Sequence, residues 1–180
     1  MFVKDSLKTV LFAATLALGS APVTASAEPP GFPDLNNFTA VNAQDYVQAG
    51  RGGDYARFSP PSRQYSCSFL TKGVANPAPL LSCSGNIPGV PDNVPTVGPE
   101  APCPMAIKQV NKRTGNYAFN IASTQCGDIE KYSSRVIPVG EKITFGAVTC
   151  AVTDDDSVAC VDATNGNNGF LLSPVGSSTF

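Results

Sequence analysis

The six cysteines constrain the fold of this 180-residue chain more than any other feature. They are Cys67, Cys83, Cys103, Cys126, Cys150 and Cys160. No two of them have the Cys-x-x-Cys spacing of a redox or zinc motif, and the sequence has no histidine to complete a mixed zinc site. The cysteines are therefore expected to be either disulfide-bonded or buried free thiols, and the compartment of the protein decides between the two.

The first 27 residues have the organisation of a secretory signal peptide. Lys4 and Lys8 precede the apolar run VLFAATLAL, and small residues follow it up to Ala27. The apolar run is shorter than the about 20 residues that cross a bilayer, and no later segment approaches that length. We expect cleavage near Ala27 and a secreted or cell-envelope protein that begins at Glu28 and has no transmembrane segment. In that oxidising environment, an even number of cysteines implies disulfides.

The charge balance gives no indication of a polyanionic partner. Removing residues 1–27 leaves 10 of the 12 basic and 13 of the 14 acidic residues, a net charge of −3. Nucleic acid and anionic membrane are therefore not expected as partners. The 153 residues from Glu28 to Phe180 suffice for one ordinary hydrophobic core, so we expect a single domain.

The chain after the leader divides into an N-terminal arm, residues 28–57, and a β domain, residues 58–180. The arm starts with the proline-rich stretch EPPGFPDLN, and residues 38–50 (FTAVNAQDYVQAG) are compatible with one short helix. Asn37 or Thr39 would cap that helix, Gly50 would end it, and its apolar side would be formed by Val41, Tyr46 and Val47. From Phe58 onward, turn residues recur between short β-branched or aromatic runs. This pattern predicts a mostly β, disulfide-stapled fold of hairpins, arranged as a sandwich or barrel.

The strongest hairpin signal is AIKQV-NKRTG-NYAFNIA, residues 106–122. Tyr117, Phe119 and Ile121 alternate with small or polar residues, as in a half-buried strand. NKRTG is expected to be the turn. Lys112 and Arg113 in that turn are more typical of a solvated turn than of an anion site.

The spacing of the cysteines suggests how they pair. Sequential pairing gives Cys67–Cys83, Cys103–Cys126 and Cys150–Cys160, and each pair is centred on a segment of turn composition. Opposed residues of an antiparallel strand pair lie close enough for a disulfide. Sequential pairing is one of 15 connectivities, and each bridge would stabilise the fold by about 3 kcal/mol in the chain-entropy model.

Three consecutive aspartates, Asp154, Asp155 and Asp156, lie between KITFGAVTCAV and SVACVDA, which both have strand composition. A calcium loop needs spaced oxygen ligands and a glycine in a defined frame, which this run lacks. We therefore interpret the run as a hairpin turn, with weak divalent-ion binding as the alternative.

The glycine–asparagine stretch NGNNG, residues 165–169, predicts a turn with positive φ angles. It lacks the Gly-Lys-Ser/Thr ending of a phosphate-binding loop. FLLSP, residues 170–174, is expected to form the last strand.

The residue types argue against an enzyme. Without histidine, Ser/His/Asp and Cys/His catalysis are excluded, and no G-x-S-x-G motif is present. A carboxylate pair is the remaining option, and its candidates are Asp128, Glu130, Glu141 and Asp162. Such carboxylates usually lie scattered on the surface, so we expect no catalytic, cofactor-binding or metal-binding residues.

Five stretches resemble, in the same order, segments of small exported proteins of mycobacteria and related actinobacteria whose function is unknown. They are residues 32–46 (FPDLNNFTAVNAQDY), 58–67 (FSPPSRQYSC), 81–91 (LSCSGNIPGVP), 137–146 (IPVGEKITFG) and 158–173 (VACVDATNGNNGFLLS). Arg63 and Gln64 stand where glycine and asparagine are usual, and Asn167-Asn168 replaces a histidine of the last segment. The resemblance implies export and stapled β-structure, and it implies no activity.

These observations favour a non-enzymatic binding or structural protein of the cell envelope or the extracellular space. Envelope glycans, lipids and secreted proteins are its candidate partners. One alternative is an inhibitor or modulator of another secreted protein that presents the proline-rich residues 88–104. The other alternative is a carboxylate-dependent hydrolase.

Overall fold

A computed structural model describes residues 28–50, 53–70, 80–97, 105–113, 115–124 and 134–180. The described residues form fourteen strands in two sheets, so the prediction of a mostly β, single-domain fold is confirmed. The predicted signal peptide, the predicted Cys103–Cys126 bridge, and the candidate carboxylates Asp128 and Glu130 lie outside the described residues.

The first sheet has six strands. In spatial order they are β1 (Thr39–Ala40), β10 (Glu141–Phe145), β11 (Val148–Val152), β12 (Val158–Asp162), β13 (Asn168–Leu172) and β14 (Ser178–Thr179). Strand β1 pairs with β10 in parallel, and the other neighbours are antiparallel.

The second sheet has eight strands. Its main path is β2 (Val47–Gln48), β3 (Tyr55–Ser59), β4 (Tyr65–Leu70), β5 (Leu80–Gly85), β7 (Met105–Arg113), β8 (Asn116–Thr124) and β6 (Thr96–Val97). Strand β9 (Arg135–Val136) pairs with β3 in parallel. The predicted arm, residues 28–57, thus supplies β1 to the first sheet, and β2 and the first three residues of β3 to the second.

The core lies between the two sheets, because their inward residues are apolar and meet. In β4, Tyr65, Cys67 and Phe69 are buried while the residues between them are half-buried, the period of two expected of a strand. Phe69 packs against Phe145 of the first sheet with 5.0 Å between ring centroids. Tyr117 meets Phe170 of the first sheet edge-on at 5.2 Å. The fold is therefore a two-sheet sandwich.

Two disulfides lie in this core. Cys67 and Cys83 are opposed on β4 and β5, and Cys150 and Cys160 are opposed on β11 and β12. All four residues are fully buried. These are the two bridges of the sequential scheme whose cysteines are described, and each joins the strands of one hairpin.

Residues 38–50 do not form the predicted helix. They form β1, a single 3-10 turn at Ala43–Tyr46, and β2. Asn42 begins the turn with an extended backbone, and its side chain accepts a hydrogen bond from the Gln44 backbone N–H at 3.2 Å. The backbone of this segment is instead paired with β10, where the Val41 N–H donates to the Lys142 carbonyl at 2.8 Å. Pairing with the sheet therefore overrides the weak local helix propensity.

The hairpin of residues 106–122 is present, but its turn is shorter than predicted. Strand β7 continues to Arg113 and β8 begins at Asn116, so Lys112 lies opposite Tyr117 within the ladder. The assignment of residues 111–115 to the turn was therefore wrong for its first three residues. Gly115, with φ of 95°, makes the reversal.

The glycine–asparagine turn is confirmed, since Gly166 and Asn167 have φ of 90° and 59°. Residues 170–174 do not contain the last strand, because β13 is followed by β14. The backbone of Phe180 then exchanges two hydrogen bonds of 3.0 Å with Gly169.

Candidate functional site

The acidic run is a hairpin turn, as predicted. The Thr153 N–H donates to the Ser157 carbonyl at 3.0 Å, and Asp156 has the positive φ (64°) that a tight turn needs. The Asp155 carboxylate accepts from the Thr153 hydroxyl and from the Ser157 N–H and hydroxyl at 3.1 and 2.8 Å. These bonds, the Thr153 bond above all, hold the pKa of Asp155 below its ordinary value although partial burial opposes them. Asp155 therefore caps its own turn.

The turn also docks on the loop before β4. The Asp156 carboxylate accepts from the Ser62 backbone N–H at 3.2 Å. The nearby Tyr65 hydroxyl is buried and has no hydrogen-bond partner, and burial, with the charges of Asp156 and Asp155, raises its pKa. No group of three or more acidic or cysteine side chains within the described ranges is arranged to hold a metal ion.

Asp162 is not the surface carboxylate that the sequence suggested. It is 1% exposed, and its Oδ2 atom accepts from Lys112 Nζ at 2.8 Å and from the Tyr117 hydroxyl at 3.2 Å. Its Oδ1 atom accepts from the Thr164 N–H at 2.9 Å. Lys112 is likewise not in a solvated turn, because it points from β7 towards the first sheet and its side chain is 16% exposed. The three side chains form a polar link between the two sheets.

The charges of this link are set by their surroundings. Burial pushes the pKa of Asp162 upward, but the hydrogen bonds from Lys112 and Thr164 outweigh it, so the pKa lies below its ordinary value. Burial raises the pKa of Tyr117, and the neighbouring Asp162 charge adds to the shift. Near neutral pH, Asp162 is therefore ionised and pairs with the charge of Lys112. Tyr117 is neutral and keeps the hydroxyl hydrogen that it donates to Asp162.

Glu141 and Asp162 do not form a carboxylate pair. Asp162 lies opposite Val148, which lies opposite Phe145, four residues along β10 from Glu141. Standard strand dimensions separate the two positions by roughly 13 Å along the strands and about 10 Å across them. Paired glycosidase carboxylates lie at most about 10 Å apart.

The described part of the proline-rich loop, residues 88–97, is anchored to the sandwich. Val90 is buried, and its carbonyl accepts from Lys108 Nζ at 2.6 Å. The Pro88 carbonyl accepts from the Ser177 hydroxyl, and Thr96–Val97 pairs with β8. Residues 98–104 lie outside the described chain.

The outer side of the second sheet carries a contiguous set of uncharged polar side chains, which we call the polar face. It consists of Ser66, Ser68, Ser82, Ser84, Gln109, Asn111 and Asn120. On the four central strands these residues alternate with core residues such as Cys67, Cys83 and Val110, so they project away from the core. Ser66 lies opposite Ser84 and Ser84 opposite Gln109, while Ser68 lies opposite Ser82 and Ser82 opposite Asn111. The polar residues therefore run across the sheet in two adjacent rows.

Three amides of the polar face form one hydrogen-bonded chain, which we call the amide chain. Asn120 Nδ2 donates to Asn111 Oδ1 at 3.4 Å, and Asn111 Nδ2 donates to Gln109 Oε1 at 3.0 Å. Asn120 is 1% exposed, and its Oδ1 atom is buried without any hydrogen-bond partner. Leaving a buried acceptor unpaired costs about 1–3 kcal/mol.

Comparison of the chain with protein-family models, with curated proteins and with solved structures gives no match. Within the described residues, no helix is both long enough and apolar enough to cross a membrane.

An arginine–tyrosine pair borders the polar face. Arg57 lies opposite Ser68, and its guanidinium carbon lies 4.4 Å from the centroid of the Tyr55 ring. The pair places an aromatic ring and a positive charge beside the serines, at the β3 side of the face.

The outer side of the first sheet is partly covered by the N-terminal residues 28–36. Between these residues and the sheet lies an open cavity of about 410 Å³, lined on the sheet side by Lys142, Thr144, Thr149 and Val161 among others. Lys142 Nζ donates to the Leu35 carbonyl at 2.7 Å, and the two threonine hydroxyls bond to each other at 3.0 Å. These polar groups are paired within the chain, in contrast to Asn120.

The polar face was not predicted from the sequence. The signal was the alternation of serine with cysteine in YSCSFL and LLSCSG, and of amides with apolar residues in IKQVN and YAFNIA. Each strand taken alone reads as an ordinary half-buried strand. Only the pairing of the strands shows that their polar sides adjoin.

Proposed function

We propose that this protein is an exported, non-enzymatic binding protein of the cell envelope or extracellular space, and that the polar face is its binding surface. The observation that carries the proposal is the continuous set of seven uncharged hydroxyl and amide side chains that the pairing of β4, β5, β7 and β8 brings together on one side of the second sheet. The signal-peptide pattern of residues 1–27 and the two core disulfides support residence outside the cytoplasm.

We further propose that the chain is related to the small exported actinobacterial proteins that it resembles. Such a relationship supports the same compartment. The alternative function, inhibition of another secreted protein by an exposed proline-rich loop, has less support. Residues 88–97 are fixed to the sandwich by hydrogen bonds from Lys108 and Ser177 and by pairing with β8. The polar groups are displayed from strands of a rigid sandwich rather than from a loop. Such a surface loses little conformational entropy on binding.

The test is retention of the chain from Glu28 onward on immobilised fractions of envelope glycans, envelope lipids and secreted proteins. The oxidised protein is compared with the reduced protein and with two matched variants. Ser68→Ala/Ser82→Ala removes a hydroxyl pair from the polar face, where the two oxygen atoms lie 3.4 Å apart. Thr144→Val/Thr149→Val removes the corresponding pair from the outer side of the first sheet.

We expect saturable retention on one fraction, lost on reduction and weakened by the serine variant only. Retention on no fraction would overturn the proposed function. Retention weakened by the threonine variant alone would move the binding surface to the first sheet.

A further inference from the structure

We propose that the open cavity between residues 28–36 and the outer side of the first sheet binds a small amine, which carries one ammonium group on an apolar body. The cavity lies on the opposite side of the sandwich from the polar face, so its ligand is independent of the proposed function. Three features support such a ligand: the access of the cavity to solvent, its apolar wall and the carboxylate of Asp34.

The floor of the cavity is a row of outward side chains on three adjacent strands. Thr144 of β10 lies opposite Thr149 of β11, and Thr149 lies opposite Val161 of β12. The row continues through Gly169, which lies opposite Val161, to Phe180. Thr144 is exposed, and Thr149 and Val161 are half-buried. The floor is therefore formed by short side chains that a ligand can reach from solvent.

Apolar side chains of the N-terminal residues form the wall above this floor. They are Phe32, Pro33 and Leu35, and all three are half-buried. The Phe32 ring contacts the Phe180 ring edge-on, with 5.2 Å between the centroids. The Leu35 carbonyl accepts from Lys142 Nζ at 2.7 Å. These contacts fix the wall before a ligand enters, which lowers the entropic cost of binding.

The size of the cavity suits a small molecule. Its volume of about 410 Å³ lies within the roughly 300–1,000 Å³ of small-molecule sites. A phenyl ring or a branched alkyl group can lie between the wall of Phe32, Pro33 and Leu35 and the floor at Val161, where it is removed from water.

The carboxylate of Asp34 favours a ligand with an ammonium group. Its Oδ1 atom accepts from the backbone N–H and from the side-chain Nδ2 of Asn36, each at 2.9 Å. Its Oδ2 atom accepts no hydrogen bond from the described residues, and Asp34 is exposed at the cavity. An ammonium group can therefore donate a charge-assisted hydrogen bond to Oδ2 while its apolar body lies against the wall.

The two other charged residues of the cavity define the competing occupant. Glu28 is exposed and adds a second carboxylate, whose charge the α-ammonium group created by cleavage near Ala27 would offset. Lys142 has the opposite charge, but its ammonium group already donates to the Leu35 carbonyl. A carboxylate ligand bound at Lys142 would lie near the like charge of Asp34, so a cation is favoured.

The experiment compares phenethylamine, phenethyl alcohol and hydrocinnamate, which share a phenyl body and differ in charge. Their binding to the oxidised chain from Glu28 onward is followed by the NMR signals of the methyl groups of Thr144, Thr149 and Val161. We expect phenethylamine to shift all three sets of signals and to bind about threefold more tightly than the alcohol, the gain from one exposed ion pair. Hydrocinnamate should bind more weakly than the alcohol, and added salt should reduce the advantage of the amine.

Two variants test the two parts of the site. Asp34→Asn keeps the side-chain oxygen that accepts from the Asn36 N–H and removes the charge, so it should weaken amine binding about threefold and leave alcohol binding unchanged. Its control is Asp92→Asn, the same change at an exposed residue outside the cavity. Val161→Phe fills the floor and should abolish binding of all three probes. Its control is Leu171→Phe, at another half-buried outward position of the first sheet.

Unmoved signals with all three probes would overturn the proposal, as would hydrocinnamate binding as tightly as phenethylamine, or amine binding unchanged by Asp34→Asn. Signals from residues outside the cavity report whether each variant is folded. Ser68→Ala/Ser82→Ala should leave amine binding unchanged, so the polar face and the cavity are tested separately and the failure of one leaves the other standing.

Discussion

Lys112 Nζ and Asp162 Oδ2 lie 2.8 Å apart and join β7 of the second sheet to β12 of the first. The pair is shielded from water, since the two side chains are 16% and 1% exposed. Tyr117 completes the link, because its hydroxyl donates a hydrogen bond to the same carboxylate oxygen. The two sheets are thus held in one relative placement by directional polar bonds as well as by apolar packing.

Breaking this link should destabilise the protein more than removing a surface ion pair. Asp162→Ala leaves the Lys112 charge buried without its partner, and we expect a loss of about 3 kcal/mol in the free energy of unfolding. The matched control is Asp92→Asn, because Asp92 is 96% exposed in its ion pair with Lys108 of the same strand β7. Its effect should be close to zero. Urea unfolding measures both, and equal effects of the two variants would contradict the assigned role of Asp162.

The same link makes stability depend on pH at both extremes. Asp162 has a lowered pKa in the folded state, so its contribution is complete above the ordinary value of 3.8 and is lost as the pH falls through the folded-state pKa. Tyr117 has a raised pKa, so its contribution is complete below 10.0 and is lost as the pH rises towards the folded-state pKa.

Urea midpoints measured from pH 2 to 11 should therefore fall at both ends for the wild-type protein. Asp162→Asn should flatten the acid side and Tyr117→Phe the alkaline side, with Asp155 and Tyr65 accounting for the slopes that remain. An acid side as steep in Asp162→Asn as in the wild type would show that other carboxylates set the acid stability.

Each core disulfide should stabilise the fold by a similar amount. The bridges close loops with sequence separations of 16 and 10 residues, and the chain-entropy model gives about 3 kcal/mol for each. Cys67→Ala/Cys83→Ala and Cys150→Ala/Cys160→Ala should lower the free energy of unfolding accordingly. A variant as stable as the wild type would show that its bridge adds nothing to the packing of the strands.

Peptide mapping without reduction tests the third predicted bridge. A linked peptide pair containing Cys103 and Cys126 is expected, together with the two bridges already located in the core. A peptide that joins either residue to Cys67, Cys83, Cys150 or Cys160 would refute sequential pairing.

Gly169 should not tolerate a side chain. A Cβ atom there would collide with the Cys160 carbonyl oxygen and lie 2.8 Å from the Phe180 ring. Gly169→Ala should therefore cost about 2 kcal/mol, because backbone must move. Gly115→Ala is the comparison, since its Cβ meets nothing within 4 Å and only the positive φ is unfavourable. Thermal unfolding of the two variants tests this difference, and a Gly169→Ala protein no less stable than Gly115→Ala would contradict the close approach of the Cys160 carbonyl to Gly169.

Sequence patterns predicted those features of the fold that depend on short-range order. The β content, the Cys150–Cys160 hairpin with its aspartate turn and the positive-φ turn at Gly166 follow from local residue types. The helix expected at residues 38–50 failed because Val41 satisfies its backbone on β10, a strand about 100 residues away. Pairing partners at such a distance leave no trace in local propensity.

The interactions between the sheets and the polar face could not be predicted from the sequence for a similar reason. Lys112 lies 50 residues from Asp162, and each of them has the local surroundings of a surface residue. The rows of the polar face depend on β5 pairing with β7, which brings Ser82 opposite Asn111. The sequence shows the type of each polar residue, but it does not show that these residues share one side of the sheet.

The most direct test of the central claim is carbene footprinting of the oxidised protein, alone and bound to the fraction that retains it. The account predicts reduced labelling of peptides from β4, β5, β7 and β8, centred on Gln109, Asn111 and Ser82. Reduced labelling confined to β10–β13 of the first sheet would contradict it and would assign binding to the opposite side of the sandwich.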